Sequence, residues 1–496
     1  MRGNQPCIFT GLPDRQDDDC ACPDKAFVLT FKEPASCEND CACPDHGLTL
    51  TYKTNKPGRF AQARDIHSIT LPAGFHLAFS PFAPAGPSIL NHTAWQRWLS
   101  FSTPQPLSEK IDQDLAQQML IYPAGYLPHP QPTQPTQPHT LTAWLHITNA
   151  CSLDCPYCYV RKSSARMSLA TGRGAIDALF ISAQEHGFKR VKLKYAGGEA
   201  TLHFRLVRSL HHYALEKANQ TGLELREVVL SNGIHLQAED AAWLAANQMK
   251  LMISIDGVGE LHNQLRPLKN RAGTDTFALV QNTVDQVLLP RGIRPDVTMT
   301  VTALNAHGAA DVARWAMIDR DLPTSFNFYR QNLLSASHTE LQLEQQALID
   351  GMLAAYAVIE ANLPTRPFLD GLLDRVQTEA HAHTCGVGQS YVVISHTGRV
   401  AQCQMYLDEP HNPPLANDLL PLISHGAIQN PAVDSKLGCQ SCEFRYRCAG
   451  GCPLETYRAT GRWDVQSPNC HIYKTLYPAA LRLEGLRLMK VHGYWH

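Results

Sequence analysis

The sequence predicts an α/β protein: a partial (β/α)6 TIM-like barrel, with an N-terminal α+β domain before it and a cysteine-rich extension after it. The main observation is that short β-rich runs alternate with longer helix-patterned segments, the runs lying at 141–148, 191–198, 227–233, 250–257, 294–302 and 325–329. Near-continuous apolar strands joined by helices are typical of a parallel sheet covered on both faces. These units are fewer than the eight or so of a closed barrel, so we expect a partial one.

The composition is that of a globular chain with no strong electrostatic preference. The 496 residues suffice for several folding units, and 43 Lys and Arg against 45 Asp and Glu give a net charge of −2. This balance favours neither nucleic acid nor an acidic membrane as a partner. The first 20 residues lack a signal-peptide apolar core, and no apolar run approaches the roughly 18 residues of a membrane helix. We therefore expect a cytoplasmic protein with no membrane or nucleic-acid partner.

The 16 cysteines fall into three groups along the chain. In a reducing cytoplasm they are better explained as metal ligands or reactive thiols than as disulfides. A proline-rich stretch between the first and second groups is predicted to be an extended linker. The predicted units are a cysteine-repeat segment, a winged-helix-like unit, the linker, the barrel, a helical connector with a helix over 339–362, and the extension, at residues 1–66, 67–128, 129–140, 141–335, 336–380 and 381–496.

The N-terminal segment contains an internal repeat, Asp-Cys-Ala-Cys-Pro-Asp at 19–24 and again at 40–45. Its two Cys-x-Cys pairs could close a zinc site, could be reactive thiols, or could belong to an attached substrate-like segment. Residues 1–50 carry nine acidic against four basic side chains, which argues against a nucleic-acid-binding arm. Of the three uses, we favour a structural metal such as zinc.

The second cysteine group lies directly after the first predicted strand. Cys151, Cys155 and Cys158 have the spacing Cys-x3-Cys-x2-Cys. Three thiolates on one loop can hold three irons of a cubane and leave the fourth iron open to another ligand. The alternative is a zinc site completed by a distant histidine. The position favours the cluster, because α/β sheets build active sites at the carboxyl ends of their strands.

This triplet, with Tyr157 before its last cysteine, resembles the signature of the radical S-adenosylmethionine (SAM) enzymes. Further matches follow in order over residues 141–330: Tyr195–Thr201 resembles the family's Gly-Gly-Glu-Pro segment, with Ala200 in place of proline. Ser231 and Asn232 end the third strand, and Ser254 to Gly257 resembles a stretch of the peptide-modifying members. The implied catalytic residues are Cys151, Cys155 and Cys158, and the implied SAM-binding residues are Tyr157, Gly197, Gly198, Glu199, Ser231, Asn232, Ser254, Asp256 and Arg266.

Physical chemistry gives these implied residues specific roles. Glycines at a strand end let the backbone approach a ligand closely, and the Glu199 carboxylate can accept hydrogen bonds from the methionine ammonium of SAM. Ser231 and Asn232 can bind the ribose or the carboxylate, for which Arg266 is a second partner. Each motif alone is weak evidence for a SAM site. The resemblance depends on their occurring in order at the ends of consecutive strands.

The seven C-terminal cysteines resemble the SPASM extension of radical SAM enzymes that modify peptides and proteins. Zinc ribbons are the alternative for such Cys-x2-Cys pairs. The resemblance implies two auxiliary [4Fe–4S] clusters, hence three in all, with one bound by Cys439, Cys442, Cys448 and Cys470 and the other by Cys385, Cys403 and Cys452. Related proteins have a further cysteine a few residues before the position of Cys385. Here 379–383 contains no thiol, so His381, His383 or a carboxylate fills the position, or one iron is open; we interpret both histidines as surface residues.

The resemblance implies a radical SAM maturase, an oxidoreductase that reductively cleaves SAM and oxidatively crosslinks a ribosomally made peptide through a thioether or carbon–carbon bond. Formylglycine formation, as in the anaerobic sulfatase maturases, is the alternative. Those enzymes carry an Asp after the second SPASM cysteine, whereas here Gln404 follows Cys403 and cannot act as a base, which argues against this alternative. A second alternative is a non-catalytic iron–sulfur electron-transfer protein. The expected partners are a substrate peptide or protein and a low-potential donor of the flavodoxin or ferredoxin type. The 67–125 segment is expected either to hold a leader peptide as an added strand or to cap the barrel.

Overall fold

The computed structural model describes residues 8–9, 58–64, 66–80, 83, 87–125, 139–271, 273–377 and 380–495. The cysteine repeat at 19–24 and 40–45 and most of the predicted linker lie outside these residues. The strands in the described part of the chain are β1 (Ile8–Phe9), β2 (Phe60–Gln62), β3 (His67–Thr70), β4 (His76–Phe79), β5 (Ser88–Leu90), β6 (Ile121–Pro123), β7 (Thr140–Thr148), β8 (Arg190–Gly197), β9 (Glu224–Ser231), β10 (Lys250–Ser254), β11 (Asp296–Val301), β12 (Thr324–Phe328), β13 (Tyr391–Ile394) and β14 (Val400–Ala401).

Helices alternate with the strands of the barrel and continue beyond it. They are α1 (His92–Ser100), α2 (Lys110–Gln117), α3 (Leu169–Glu185), α4 (Phe204–Thr221), α5 (Ala238–Ala246), α6 (Glu260–Leu265), α7 (Thr276–Asn282), α8 (Ala309–Val312), α9 (Gln345–Ala361), α10 (Leu369–Leu372), α11 (Leu420–Ser424), α12 (Arg445–Cys448), α13 (Pro453–Thr460) and α14 (Cys470–Val491). Among the described helices, none is both long enough and apolar enough to cross a bilayer.

The centre of the molecule is a sheet with the strand order β12-β11-β10-β9-β8-β7-β13-β14. Strands β7 to β12 are parallel neighbours in sequence order, joined by helices. The predicted partial barrel is thus confirmed, and each predicted strand agrees with the observed one to within a few residues. Apolar residues on the strands and on the helices that cover them form one large core.

The sequence did not reveal that the C-terminal extension adds strands to the barrel sheet. β13 pairs in parallel with β7, with Tyr391 opposite Thr142 and Ile394 opposite Leu145, and β14 pairs antiparallel to β13. A pairing between strands more than 240 residues apart leaves no local pattern in the sequence. Its consequence is that only β13 separates β14, the strand that leads into Cys403, from the strand that leads into the cysteine triplet.

The predicted connector helix starts later than expected. Over 339–362 the chain first makes a short 3₁₀ turn at Thr339–Leu341, and α9 begins only at Gln345. The start is fixed by Glu344, whose carboxylate accepts hydrogen bonds from the backbone N–H groups of Gln346 and Ala347.

The N-terminal unit contains a sheet with the order β1-β5-β4-β3, followed by α1 and α2. In the described residues from 66 onward, three strands precede the two helices, whereas the sequence indicated two. The sheet packs on the C-terminal helix, where Leu71 and Leu77 lie against Gly485 of α14. In addition, Arg447 donates a hydrogen bond to the backbone oxygen of Ala83 at 3.1 Å. These contacts attach the N-terminal unit to the cysteine-rich extension.

The close packing of α9 against the barrel depends on Gly351. A Cβ atom at this position would lie 2.1 Å from the backbone oxygen of Ala306, and backbone cannot yield as a flexible side chain can. In α3, by contrast, a Cβ at Gly174 would lie 3.5 Å from a Leu415 methyl carbon, which is ordinary contact. The two helices therefore offer a matched pair of glycines.

We predict that Gly351→Ala destabilises the fold by about 1–3 kcal/mol, because the helix must move away from the 306 backbone. Gly174→Ala should be neutral or stabilising by up to about 1 kcal/mol, since alanine is the better helix former. Urea unfolding followed by circular dichroism measures both. Equal stabilities of the two variants would show that α9 does not pack this closely.

Candidate active site

The loop between β7 and α3 carries the cysteine triplet and is held by backbone hydrogen bonds. Asn149 N–H donates to Ala165 O at 2.9 Å and Met167 N–H to Ile147 O at 2.8 Å, which closes the base of the loop. Asp154 N–H donates to Pro267 O at 3.0 Å, which fixes its tip to the chain after α6. The three cysteines are half-buried on this loop.

Gly197 and Gly198, at the end of β8, let the triplet loop approach that strand closely. A Cβ on Gly197, whose φ is +152°, would lie 2.4 Å from Thr148 O, and one on Gly198 would lie 2.4 Å from Ala150 O. Gly198 N–H donates to Thr148 O at 2.7 Å and Glu199 N–H to Ala150 O at 2.8 Å. These glycines admit the loop leading to Cys151, and because both also line the cavity described below, their contact with a ligand stays a prediction.

Glu199 is a buried carboxylate that joins two strand ends. Its Oε1 accepts from the backbone N–H and the hydroxyl of Thr201 at 3.0 and 2.7 Å, and its Oε2 accepts from Asn232 N–H at 2.6 Å. An ionised carboxylate has about four acceptor positions, so about one remains for a ligand. Glu199 thus orients the end of β9 and still lines the cavity described below.

The predicted polar residues at the ends of β9 and β10 line the same cavity as this carboxylate. Ser231 Oγ accepts from Gly233 N–H at 3.0 Å, and Asn232 Nδ2 donates to Ser152 Oγ at 3.1 Å, next to Cys151. Ser254 ends β10 and lines the same cavity. The structure therefore brings these strand ends to one cavity, and their role in binding SAM stays a prediction.

Asp256 has a different place from the one expected. It is fully buried, does not line the cavity, and its Oδ2 accepts from Arg266 Nε at 2.6 Å and from the Tyr157 hydroxyl, while Oδ1 accepts from Thr300 N–H at 2.8 Å. The Arg266 guanidinium lies over the Tyr157 ring, 5.8 Å from its centroid. Burial, together with the Asp256 charge, raises the pKa of Tyr157 well above its ordinary value. Asp256 is therefore the counter-ion that fixes Tyr157 and Arg266, rather than a ligand-facing residue.

A cavity of about 290 Å³ lies at the carboxyl ends of the barrel strands. The triplet and the strand-end residues form one side of it, and two cysteines of the extension form another. From the predicted site it is lined by Cys151, Cys155, Tyr157, Cys158, Gly197, Gly198, Glu199, Ser231, Asn232, Ser254, Arg266, Cys403 and Cys452. The barrel and the extension thus share one cavity.

Three cationic residues of the cavity were missed by the sequence analysis. Lys162 Nζ lies 3.1 Å from Cys158 Sγ, and Arg330 and Arg375 line the side nearer the extension. Arg330 is held by Asp374 at 2.5 Å. Arg330 follows β12, so the same strand-end rule would have found it. Arg375 comes from outside the barrel and has a φ of +60°, and no local pattern indicates its position.

The extension brings its cysteines together in two groups. Cys439, Cys442, Cys448 and Cys470 lie close enough for their charges to affect one another, as do Cys385, Cys403 and Cys452. Burial raises the pKa of the Cys448 and Cys403 thiols to about 12 in each case. The buried Lys436 lies between the groups and donates from Nζ to Ala449 O at 2.8 Å. The two groups have the same members as the two ligand sets that the resemblance implies, and that each set holds a cluster stays a prediction.

The spacing of the thiols bears on which metal group they fit. Zinc–sulfur bonds of about 2.3 Å in a tetrahedron place the sulfurs about 3.8 Å apart. In the described part of the chain, one set of three residues has its possible ligand atoms within 4.8 Å of one another. It consists of Glu185, His186 and Asp418 and contains no cysteine. A cubane separates its thiolates further, because each binds a different iron. The described cysteine groups therefore fit a cluster better than a zinc ion.

The two histidines before Cys385 are not surface residues, contrary to the expectation. His381 is 1% exposed and its backbone N–H donates to Tyr446 O at 2.8 Å. His383 is half-buried, with its Nδ1 2.8 Å from Asn430 O. The chain folds back here under α12, a long-range contact that the short polar sequence does not reveal.

Comparison with known proteins agrees with this architecture. The chain is similar to the solved structure of anSMEcpe with bound AdoMet, at a TM-score of 0.58 and 18% identity, covering 70% of this chain and 99% of that one. That protein is an anaerobic sulfatase-maturating enzyme. The chain has the fold of a radical SAM enzyme with a SPASM domain. The resemblance read from the sequence is confirmed at this level.

No family model matches the chain, and the sequence relatives cover different shares of it. An uncharacterized protein of Methanocaldococcus jannaschii is 31% identical over 127 residues, which are 25% of this chain and 42% of that protein. The sporulation killing factor maturation protein SkfB of Bacillus subtilis is 28% identical over 173 residues, 35% of this chain and 38% of that protein. The match spans less than half the length of each of these two relatives.

We predict that Asp256→Asn destabilises the protein by about 3–5 kcal/mol, because it leaves the buried Arg266 charge without its counter-ion. Urea unfolding of the metal-free protein measures the change. Asp464→Asn is the matched control: it breaks a half-exposed pair with Arg462 and should leave the stability unchanged. If both variants unfold at the same urea concentration, Asp256 does not hold the site together.

Proposed function

We propose that the protein is a radical SAM maturase that reductively cleaves SAM and oxidatively crosslinks a ribosomally made peptide, through a thioether or a carbon–carbon bond. The observation that carries this proposal is the shared cavity, which has the cysteine triplet on one side and Cys403 and Cys452 on another. When bound, a cluster on the triplet supplies the electron that cleaves SAM to methionine and a 5′-deoxyadenosyl radical. The surrounding residues bind SAM, aim the radical and exclude water.

The residues around the triplet suit SAM as the ligand. The open acceptor position of Glu199 is available to the methionine ammonium, and the nitrogens of Arg266 not engaged by Asp256 are available to its carboxylate. Ser231, Asn232 and Ser254 offer hydroxyl and amide groups to the ribose. Tyr157, fixed by Asp256, is held next to the last cysteine of the triplet.

The known proteins that resemble this chain support a peptide substrate. SkfB is by name a maturation protein, and anSMEcpe has been solved with bound AdoMet and the Cp18Cys peptide. Formylglycine formation is less favoured here, because Gln404 lines the cavity directly after Cys403 and its Oε1 accepts from the Tyr391 hydroxyl at 3.0 Å. An amide so held cannot take a proton from a substrate. A non-catalytic electron-transfer protein would not need the Glu199 and Asn232 arrangement.

The extension is proposed to hold two auxiliary [4Fe–4S] clusters, one on Cys439, Cys442, Cys448 and Cys470 and one on Cys385, Cys403 and Cys452. The second set has three thiols, two of which line the cavity. An iron without a fourth thiolate would therefore be accessible from the cavity. This is where we expect a substrate cysteine to bind before crosslinking.

We predict about twelve irons per chain after anaerobic reconstitution, and about eight in the variant with Cys151, Cys155 and Cys158 changed to Ala. That variant should lose SAM cleavage, measured as 5′-deoxyadenosine by chromatography. The matched change of Cys439, Cys442 and Cys448 should also lose about four irons but retain SAM cleavage. About four irons together with bound zinc in the unmodified chain would contradict the SPASM assignment.

We predict that the peptide acetyl-Gly-Cys-Gly-amide shifts the electron paramagnetic resonance spectrum of one auxiliary cluster, because its thiolate binds the accessible iron. The serine peptide of the same sequence should leave the spectrum unchanged. His383→Ala should retain the cluster and the shift. A cluster lost in His383→Ala, or a spectrum unaffected by the thiol, would show that the protein itself closes this iron.

A further inference from the structure

A second concave surface lies on the outside of the barrel, between the first turns of α3 and α4. It encloses about 660 Å³ and is lined by residues 166–169 and 201–206. Arg166 and Arg205 are exposed, and Leu169 and Leu202 are 39% and 40% exposed. We call this area the Arg166–Arg205 surface. Exposed leucines flanked by cations are typical of a site where another protein binds.

The charge of this surface departs from that of the whole chain. Residues 155–176 and 200–215 contain no Asp or Glu, although acidic residues slightly outnumber basic ones overall. In the described part of the chain no carboxylate lines the surface, and neither Arg166 nor Arg205 has an ion-pair partner there. The neighbouring Arg208 is instead paired with Glu239 and Asp240. A partner that fits here carries negative charge around an apolar centre.

The Arg166–Arg205 surface is also the outer side of the cysteine-triplet site. Thr201 lines the surface and donates two hydrogen bonds to Glu199, which lines the inner cavity. Glu199 N–H donates to the backbone oxygen of Ala150, the residue before Cys151. Two hydrogen-bonded residues therefore separate a bound partner from the triplet loop, which is a short path for an electron.

We propose that the Arg166–Arg205 surface is the docking site of a small acidic electron-transfer protein that reduces the site built on Cys151, Cys155 and Cys158. This inference rests on the proposed function, because reductive cleavage of SAM uses one electron that the chain itself does not supply. One electron passes from the reduced partner to the triplet site, the partner is left oxidised by one electron, and the electron is used in breaking the carbon–sulfur bond of SAM.

The test uses the reconstituted holoenzyme and a recombinant bacterial flavodoxin. Changing Arg166 and Arg205 together to Glu should weaken flavodoxin binding, measured by calorimetry, and slow reduction of the enzyme by reduced flavodoxin, measured by stopped-flow absorbance, each by about tenfold or more at low salt. Both effects should diminish at high salt. Reduction by titanium(III) citrate, which needs no docking, should be unchanged.

The matched control is Arg291→Glu with Arg314→Glu, the same charge change at exposed arginines next to α7 and α8, on the part of the barrel around β11. It should leave binding and reduction as in the unmodified chain. Leu202→Ser should weaken binding equally at low and high salt, because it removes apolar contact. Unchanged flavodoxin affinity in the Arg166/Arg205 variant, or an equal loss in the control, would overturn the assignment.

Two further outcomes are distinguishable. If the Arg166/Arg205 variant loses affinity for an acidic peptide while flavodoxin binding and reduction are retained, the surface binds substrate and the donor proposal is wrong. If titanium(III) citrate supports no SAM cleavage even in the unmodified holoenzyme, the proposed function is wrong. The calorimetric measurement of flavodoxin binding does not depend on SAM cleavage and still tests the docking site.

Discussion

The parallel pairing of β13 with β7 is the contact on which the site depends. β7 leads into the cysteine triplet, and β14, hydrogen-bonded to β13, leads into Cys403. Only β13 separates β7 from β14 in the sheet, and the segments that follow β7 and β14 both line the same cavity. The extension also packs on the barrel through α14, whose apolar residues belong to the common core, but this pairing is what joins it to the strand that carries the triplet. The sheet therefore positions the two sites relative to each other more rigidly than a flexible linker would.

Buried charges set the geometry around the cavity. The Asp256 carboxylate holds Arg266 and Tyr157 behind the triplet, and Asp374 holds Arg330 opposite it. Such buried pairs contribute little net stability, because removing two charges from water costs about as much as their attraction gains. Their value here is geometric, since each carboxylate leaves a guanidinium in one orientation at the edge of the cavity. Lys436 is a comparable case between the two cysteine groups of the extension, held by the backbone oxygen of Ala449.

Much of the fold and of the site could be predicted from the sequence, because both follow local rules. The alternation of apolar β-rich runs with helical segments located β7 to β12, and the resemblance of the motifs at the carboxyl ends of those strands singled out Glu199, Asn232 and Ser254. What could not be predicted depends on contacts between distant segments. The pairing of β13 with β7, the approach of Arg375 to the cavity and the burial of His381 involve residues far apart in the chain, and none has a periodic signature. Asp256 is a different case. The sequence indicates correctly that it follows a strand, but not that its carboxylate pairs with the buried Arg266 instead of facing the cavity.

Glu199 lies between the cavity and the Arg166–Arg205 surface, on the inner and outer sides of the triplet site. Its carboxylate is bound by Thr201 toward the Arg166–Arg205 surface and by Asn232 toward the cavity. A cavity that is to contain a radical must keep out water and other hydrogen donors, whereas a site that is to be reduced must lie close to a partner protein. A thin wall whose residues are hydrogen-bonded to one another satisfies both requirements, because it excludes solvent and keeps the distance short. The two glycines of β8 make the wall thin, since any side chain at Gly197 or Gly198 would push the triplet loop away from Glu199.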